Sequence, residues 1–305
     1  MSEEGEGLVF SLLVSWLLGI LVAVVYGIPF VLFMLARCVP CVQQALDGPT
    51  GKRWTVAPCL SDHIVILLSH LNGLFGAYTG CCGAAIEHDY VEAIMVAVNS
   101  TIACPYCDGL HTQLAESAGS GDSPDAPSKL LRSKSSEEAL GAINKPGVAY
   151  AWTLGDLNVR SAGEEEAYEA LVRAEGADRA KSIKALAIFL YWGGMTGNTI
   201  NCAKKRLIGT APLSAMTLFS LLFILYYGPL FFVVFFYNSC VIPLFRYAFG
   251  ESSKQQVWFF KFTGFVLWLL ALVWILPVGL FALVVSVCVP SLRSQVEGQL
   301  EKEMV

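Results

Sequence analysis

Three unbroken apolar runs, 8–36, 213–237 and 257–289, punctuate the chain. Each exceeds the ~20 residues a helix needs to cross a bilayer, so each predicts a membrane segment. Between the first and second runs the pattern changes, and apolar residues return every three or four positions. The stretch 87–102 carries Val91, Ile94, Met95, Val98 and Ile102 at that spacing, and 61–78, 164–173 and 179–206 read as helices in the same way. The segment 117–145, rich in Gly, Ser, Asp and Pro, reads as a surface loop or lid with at most one short helix. The expected fold is therefore all-α: a membrane protein with about three proline-kinked membrane helices and a central helical domain. Its expected divisions are 1–41, 42–207, 208–250 and 251–305.

The apolar runs share an internal pattern in which an aromatic precedes a proline and a cysteine precedes a second proline. The versions are Tyr26-Gly-Ile-Pro29 with Cys38-Val-Pro40, Tyr227-Gly-Pro229 with Cys240-Val-Ile-Pro243, and Trp274-Ile-Leu-Pro277 with Cys288-Val-Pro290. A central proline removes a helical hydrogen bond, which kinks a span or turns a hairpin within one leaflet. Spans are the preferred reading. Glu3, Glu4 and Glu6 replace the basic start of a cleavable signal, so the first run reads as a retained anchor.

Charge supplies an orientation. Arg37, Lys52 and Arg53 follow the first run and Lys204, Lys205 and Arg206 precede the second, which places the central domain in the cytosol or an equivalent compartment. Arg246, Lys254 and Lys261 fall on the opposite side in a three-span scheme and favour hairpins. Composition agrees with a membrane protein: 55% hydrophobic residues, 15% charged and a mean hydropathy of +0.58. The net charge of −5, with basic residues at membrane edges, excludes a nucleic-acid surface. The ten cysteines show no spacing of a secreted disulfide framework and fit a reducing compartment. Asn99-Ser100-Thr101 matches a glycosylation sequon but lies on the helix leading into the dithiol, and reads as a false match.

The candidate chemistry lies at Cys104-Pro105-Tyr106-Cys107, with His111 four residues on and Glu92 upstream. Proline at the first turn of a new helix interrupts the one before it, so the two helices must fold back on each other. Cys107 and His111, at i and i+4, share a face, and Glu92 returns level with His111. Thiolate is the reactive form, and a helix N-terminus beside a histidine favours it. Cys107 is assigned as the attacking thiol and Cys104 as the resolving one. Peroxide would take Cys107 to a sulfenic acid, and Cys104 would condense with it. Half of a zinc site and an inert buried pair remain the alternatives, although the other CxxC, Cys38-Val-Pro-Cys41, lies far upstream. His63 and His70, at i and i+7, read as a packed or capping pair, with metal binding the lesser alternative, and His88 carries no signal.

The run Glu92-Ala-Ile-Met-Val-Ala-Val-Asn-Ser-Thr-Ile-Ala-Cys104-Pro-Tyr-Cys107-Asp-Gly-Leu-His111-Thr-Gln-Leu-Ala resembles the signature helix pair of the alkyl hydroperoxidase D-like branch of the carboxymuconolactone decarboxylase family. The likeness is specific over 92–119 and diffuse over 58–207. It implies an all-helical, frequently trimeric domain that reduces peroxides through a CxxC pair and a Glu/His proton relay. Glu92, Cys104, Cys107 and His111 each fall on a motif position. Tyr106 stands where the best-known peroxidases of that family carry a second histidine. A weaker internal likeness, at an offset of 90 residues, aligns Gly194 and Gly197 with the two thiols, Asn201 with His111 and Ser182 with Glu92.

The expected function is a membrane-anchored thiol peroxidase or disulfide oxidoreductase. Its partners would be membrane lipid, a hydroperoxide substrate and an external dithiol reductant protein, and it needs no metal or other cofactor. The alternative is a non-catalytic membrane scaffold or redox-responsive oligomerisation protein.

Overall fold

The structure, a computed structural model, describes residues 59–80, 84–115, 145–157, 162–209, 215–249 and 254–288. The first apolar run and nearly all of the 117–145 segment lie outside them. Every described element is helical, and no strand occurs among the described residues. Helix α1 (Cys59–Ser69) passes through a π turn (His70–Leu74) into α2 (Phe75–Thr79). Helices α3 (His88–Ile102) and α4 (Pro105–Ala115) form the hairpin that carries the dithiol. Then come α5 (Pro146–Leu157), α6 (Ala162–Glu175) and the long α7 (Ala177–Ile208). Helix α8 (Ala215–Phe236) runs through a second π turn (Tyr237–Val241) into α9 (Ile242–Phe249), and α10 (Lys254–Cys288) closes the described chain.

Helix α7 is the centre of the assembly, touching α1, α3, α5, α6 and α8. Its buried positions include Ala180, Ser182, Ala185, Ala187, Gly194, Gly197 and Ala203. A helix apolar on nearly every side must be surrounded, and these small residues let its neighbours come close. Helix α5 packs on α3 through Val148, Ala151 and Leu154, all fully buried. The sequence reading has no element there. The signals were Pro146 at the first helical position and an apolar residue at every third place after Val148.

Two segments, Phe223–Phe249 and Trp258–Cys288, are long and apolar enough to cross a membrane. The first reaches beyond the expected end at 237, because the π turn before Pro243 lets the helix continue into α9. Helices α8 and α10 both run through their prolines, Pro229 and Pro277, without reversing. A chain reversal at the proline is therefore not the conformation of either segment. Trp274 of the sequence pattern joins these helices through Tyr226, the neighbour of the pattern's Tyr227: Tyr226 Oη donates to the Trp274 carbonyl at 2.6 Å, and Trp274 Nε1 donates to the Tyr226 carbonyl at 2.8 Å. Each of the two residues stands three positions before its proline.

One apolar core runs from the helical domain into this pair, taking in Ile94, Leu186, Tyr227, Leu230, Trp268 and Ile275. The outer face is another matter. Phe232, Phe235, Phe236, Phe262, Val273, Leu280 and Val284 are all exposed. An apolar surface of that extent suits acyl chains and not water.

Candidate functional site

The dithiol turn is built by two asparagines. Ala103 ends α3 in the left-handed region at φ 56°, and its N–H donates to the Asn99 carbonyl at 2.7 Å. Asn99 Oδ1 accepts the Cys104 N–H at 3.2 Å, and Asn198 Nδ2, from α7, donates to the Ile102 carbonyl at 2.9 Å. The groups that α3 leaves open at its end are thus met from both sides. Asn99 is buried, so the sequon is closed to a glycan.

Cys104 then occupies the position before α4, where a side chain usually accepts an N–H from the first turn. Its Sγ receives the Cys107 N–H at 3.4 Å, and the two sulfurs lie 2.8 Å apart with no disulfide between them. Behind them passes Gly197. A Cβ there would stand 2.6 Å from Cys104 Sγ, so α7 approaches the dithiol as closely as glycine allows.

Across the hairpin His111 Nδ1 donates to Glu92 Oε2 at 2.9 Å, both side chains buried. That bond leaves Nε2 with the lone pair, the atom able to accept a proton. His88 Nδ1 lies 4.0 Å from the other carboxylate oxygen, one helical turn before Glu92. Burial holds the His88 imidazole below its ordinary pKa; Glu92 opposes this and Lys261 reinforces it.

These residues face a chamber of about 120 Å³ between the hairpin and the two apolar helices. Cys107, His111, Glu92 and His88 line it from one side. Leu230, Phe231 and Val234 of α8, Tyr237 of the π turn after it, and Phe260, Lys261, Leu267 and Trp268 of α10 line it from the other. Cys104 does not reach it and is wholly buried, whereas Cys107 is 7% exposed. The two thiols thus differ: Cys104 Sγ receives an N–H, which favours a thiolate, whereas Cys107 is the one that opens on the chamber.

The four residues singled out in the motif are thus brought together. Other expectations fare differently. His63 bonds the Tyr227 hydroxyl at 2.5 Å and His70 donates to the Ile66 carbonyl at 3.0 Å, so each is packed and held by its own partner. No cluster of His, Cys, Asp or Glu suited to a metal occurs among the described residues. Helix α7 runs unbroken through Gly194 to Gly197, in keeping with the helix read over 179–206, so the residues that the weak internal likeness aligns with the thiols form no second dithiol-like turn. Asn198 is spent on Ile102, and neither it nor Asn201 lines the chamber.

His88, Trp192, Lys261 and Trp268 were missed as wall residues. His88 sits at i−4 from Glu92 and was findable; the others come from distant helices with no local signal. No family model, curated protein or solved structure matches the chain.

Proposed function

We propose that the chain is a membrane-anchored thiol peroxidase that reduces apolar hydroperoxides at Cys107. The domain of 42–207 would be a member of the alkyl hydroperoxidase D-like branch that its motif over 92–119 resembles. One observation carries the reading: two cysteine sulfurs 2.8 Å apart, of which the outer one shares an apolar chamber with a hydrogen-bonded His111 and Glu92.

His111 Nε2 takes the Cys107 proton, and the thiolate attacks the terminal peroxide oxygen. The S–O bond forms as the O–O bond breaks, and the departing alkoxide recovers the proton from the imidazolium to leave as an alcohol. Glu92 holds the ring oriented and balances its charge while it carries that proton. Cys104 then attacks the sulfenic sulfur; the disulfide forms and water leaves. An external dithiol protein returns two electrons by exchange.

The apolar walls exclude water from the reacting sulfur and suit a substrate delivered from the bilayer. In this reading Lys204, Lys205 and Arg206 keep the domain on the cytosolic side of α8. A protease-sensitive tag at Val305, cut only in opened vesicles prepared with the cytosolic face outward, would reverse that orientation.

The test of function is hydroperoxide consumption by the purified full chain with a small dithiol as donor. Turnover that disappears in Cys107→Ser is the expected result. Consumption equal to that of the donor alone contradicts the reading.

A further inference from the structure

Two kinds of polar group interrupt the apolar chamber. The first is a set of buried nitrogens with no partner among the described residues, Trp192 Nε1, Trp268 Nε1 and His88 Nε2, each on a residue that lines the chamber. Trp192 and Trp268 are 2% and 4% exposed. A buried indole N–H ordinarily finds an acceptor, because leaving one unpaired costs about 1–3 kcal/mol. Two such donors in one chamber point to a ligand that brings oxygen atoms into an otherwise apolar space.

The second is Lys261. It lies near the start of the span Trp258–Cys288, is exposed, and reaches the chamber wall close enough to His88 to act on its charge. It makes no ion pair among the described residues. A cation with no ion-pair partner among the described residues, beside an apolar chamber, suits the acidic head of an amphiphile.

We propose that the substrate is a free fatty-acid hydroperoxide, its carboxylate on Lys261, its oxidised stretch beside Cys107, and its peroxide oxygens accepting from the indoles of Trp192 and Trp268. The inference rests on the peroxidase reading and narrows it to one substrate class. A volume near 120 Å³ is of the order that takes a benzene ring, so the chamber holds only the oxidised stretch. The remainder of the chain lies outside, along exposed apolar residues of α10 such as Phe262, Val266 and Leu269. The product is the hydroxy acid, and the dithiol donor supplies the two electrons.

The experiment uses the full chain in nanodiscs with dithiothreitol as donor. It compares a fatty-acid hydroperoxide, its methyl ester and a phospholipid hydroperoxide. The free acid should have the lowest KM. Lys261→Gln should narrow its advantage over the ester by roughly two- to fivefold, the weight of one partly exposed ion pair, and Lys261→Arg should keep it. Equal KM values for acid and ester, or a preference for the phospholipid, overturns the proposal. So does an equal effect of Lys261→Gln on acid and ester, which is what a lysine merely snorkelling to the interface would give. A second readout needs no turnover: unoxidised fatty acid should quench tryptophan fluorescence, less in Trp192→Phe, Trp268→Phe and Lys261→Gln. Quenching without turnover of any hydroperoxide sinks the peroxidase reading and keeps the acid site. Turnover without quenching sinks the acid site and keeps the peroxidase.

Discussion

His111 Nδ1 lies 2.9 Å from Glu92 Oε2, a bond that ties α4 to α3 across 19 residues of chain. The two side chains are buried beside the only dithiol sulfur that reaches the chamber. A positioned acid or base contributes about 10²- to 10⁴-fold to a proton-transfer step, so His111→Ala should slow peroxide reduction by that range. Glu92→Ala should act in the same direction, and Glu92→Gln, which keeps an acceptor for Nδ1–H, by less. Stopped-flow thiol oxidation reads each rate. Rates near wild type in both alanine variants would show that the relay is unused and would favour the scaffold reading.

The thiols should behave unequally. Cys107→Ser should lose turnover, and Cys104→Ser should accumulate a sulfenic acid on Cys107 that a dimedone probe labels. Access motivates this order, against the Cys107 N–H that favours a Cys104 thiolate. Labelling of Cys104 in Cys107→Ser, with turnover retained, would reverse the two roles.

Much of this site is legible in the sequence because it is local. The i, i+4 spacing of Cys107 and His111 and the proline at 105 fix a helix start, and the helix break before it returns Glu92 to the same level. The chamber's far wall is not legible. It is made by α8 and α10, more than 100 residues along the chain, and apolar runs of that kind carry no sign of which face meets a domain. Helix α7 shows the same limit. Gly194 and Gly197 read as worn copies of the thiols, whereas packing explains them: a Cβ at Gly194 would stand 2.8 Å from Ile102, and one at Gly197 would meet Cys104.

That contact gives a paired substitution. Gly193→Ala meets nothing within 4 Å and gains helix propensity, so it should be neutral or stabilising by up to about 1 kcal/mol. Gly197→Ala meets Cys104 Sγ at 2.6 Å and Phe231 at 3.0 Å, so overpacking should outweigh the same gain and leave a net loss of about 1–2 kcal/mol. Disulfide closure should also slow, because Cys104 must turn away. Denaturant titration in detergent and the rate of closure read the two effects. Equal stabilities for both variants would mean that α7 stands farther from the dithiol.

The start of α3 carries a pH signature. Arg179 bonds Glu87 at 2.5 Å, Glu175 at 2.9 Å and the Ala85 carbonyl at 2.7 Å, pinning the segment that leads into the Glu92 helix. The Arg179 hydrogen bond holds the Glu87 carboxyl below its usual range. A depressed folded pKa adds stability that is complete above the unfolded value, about 4.3, and is lost as pH falls through the folded one. Glu87 is largely exposed, so the contribution should stay under about 1 kcal/mol. Glu87→Gln should therefore lower stability slightly at pH 7 and flatten its fall below pH 5. An unchanged acid limb would show that the pair does not persist in solution.

The most direct test of the central claim is mass spectrometry of thiol states in the purified full chain, before and after one equivalent of hydroperoxide. The account predicts both thiols free beforehand, and afterwards a Cys104 to Cys107 disulfide with about one peroxide consumed per disulfide formed. Cys104 and Cys107 left as free thiols, with the peroxide unspent or consumed at other cysteines, would contradict it.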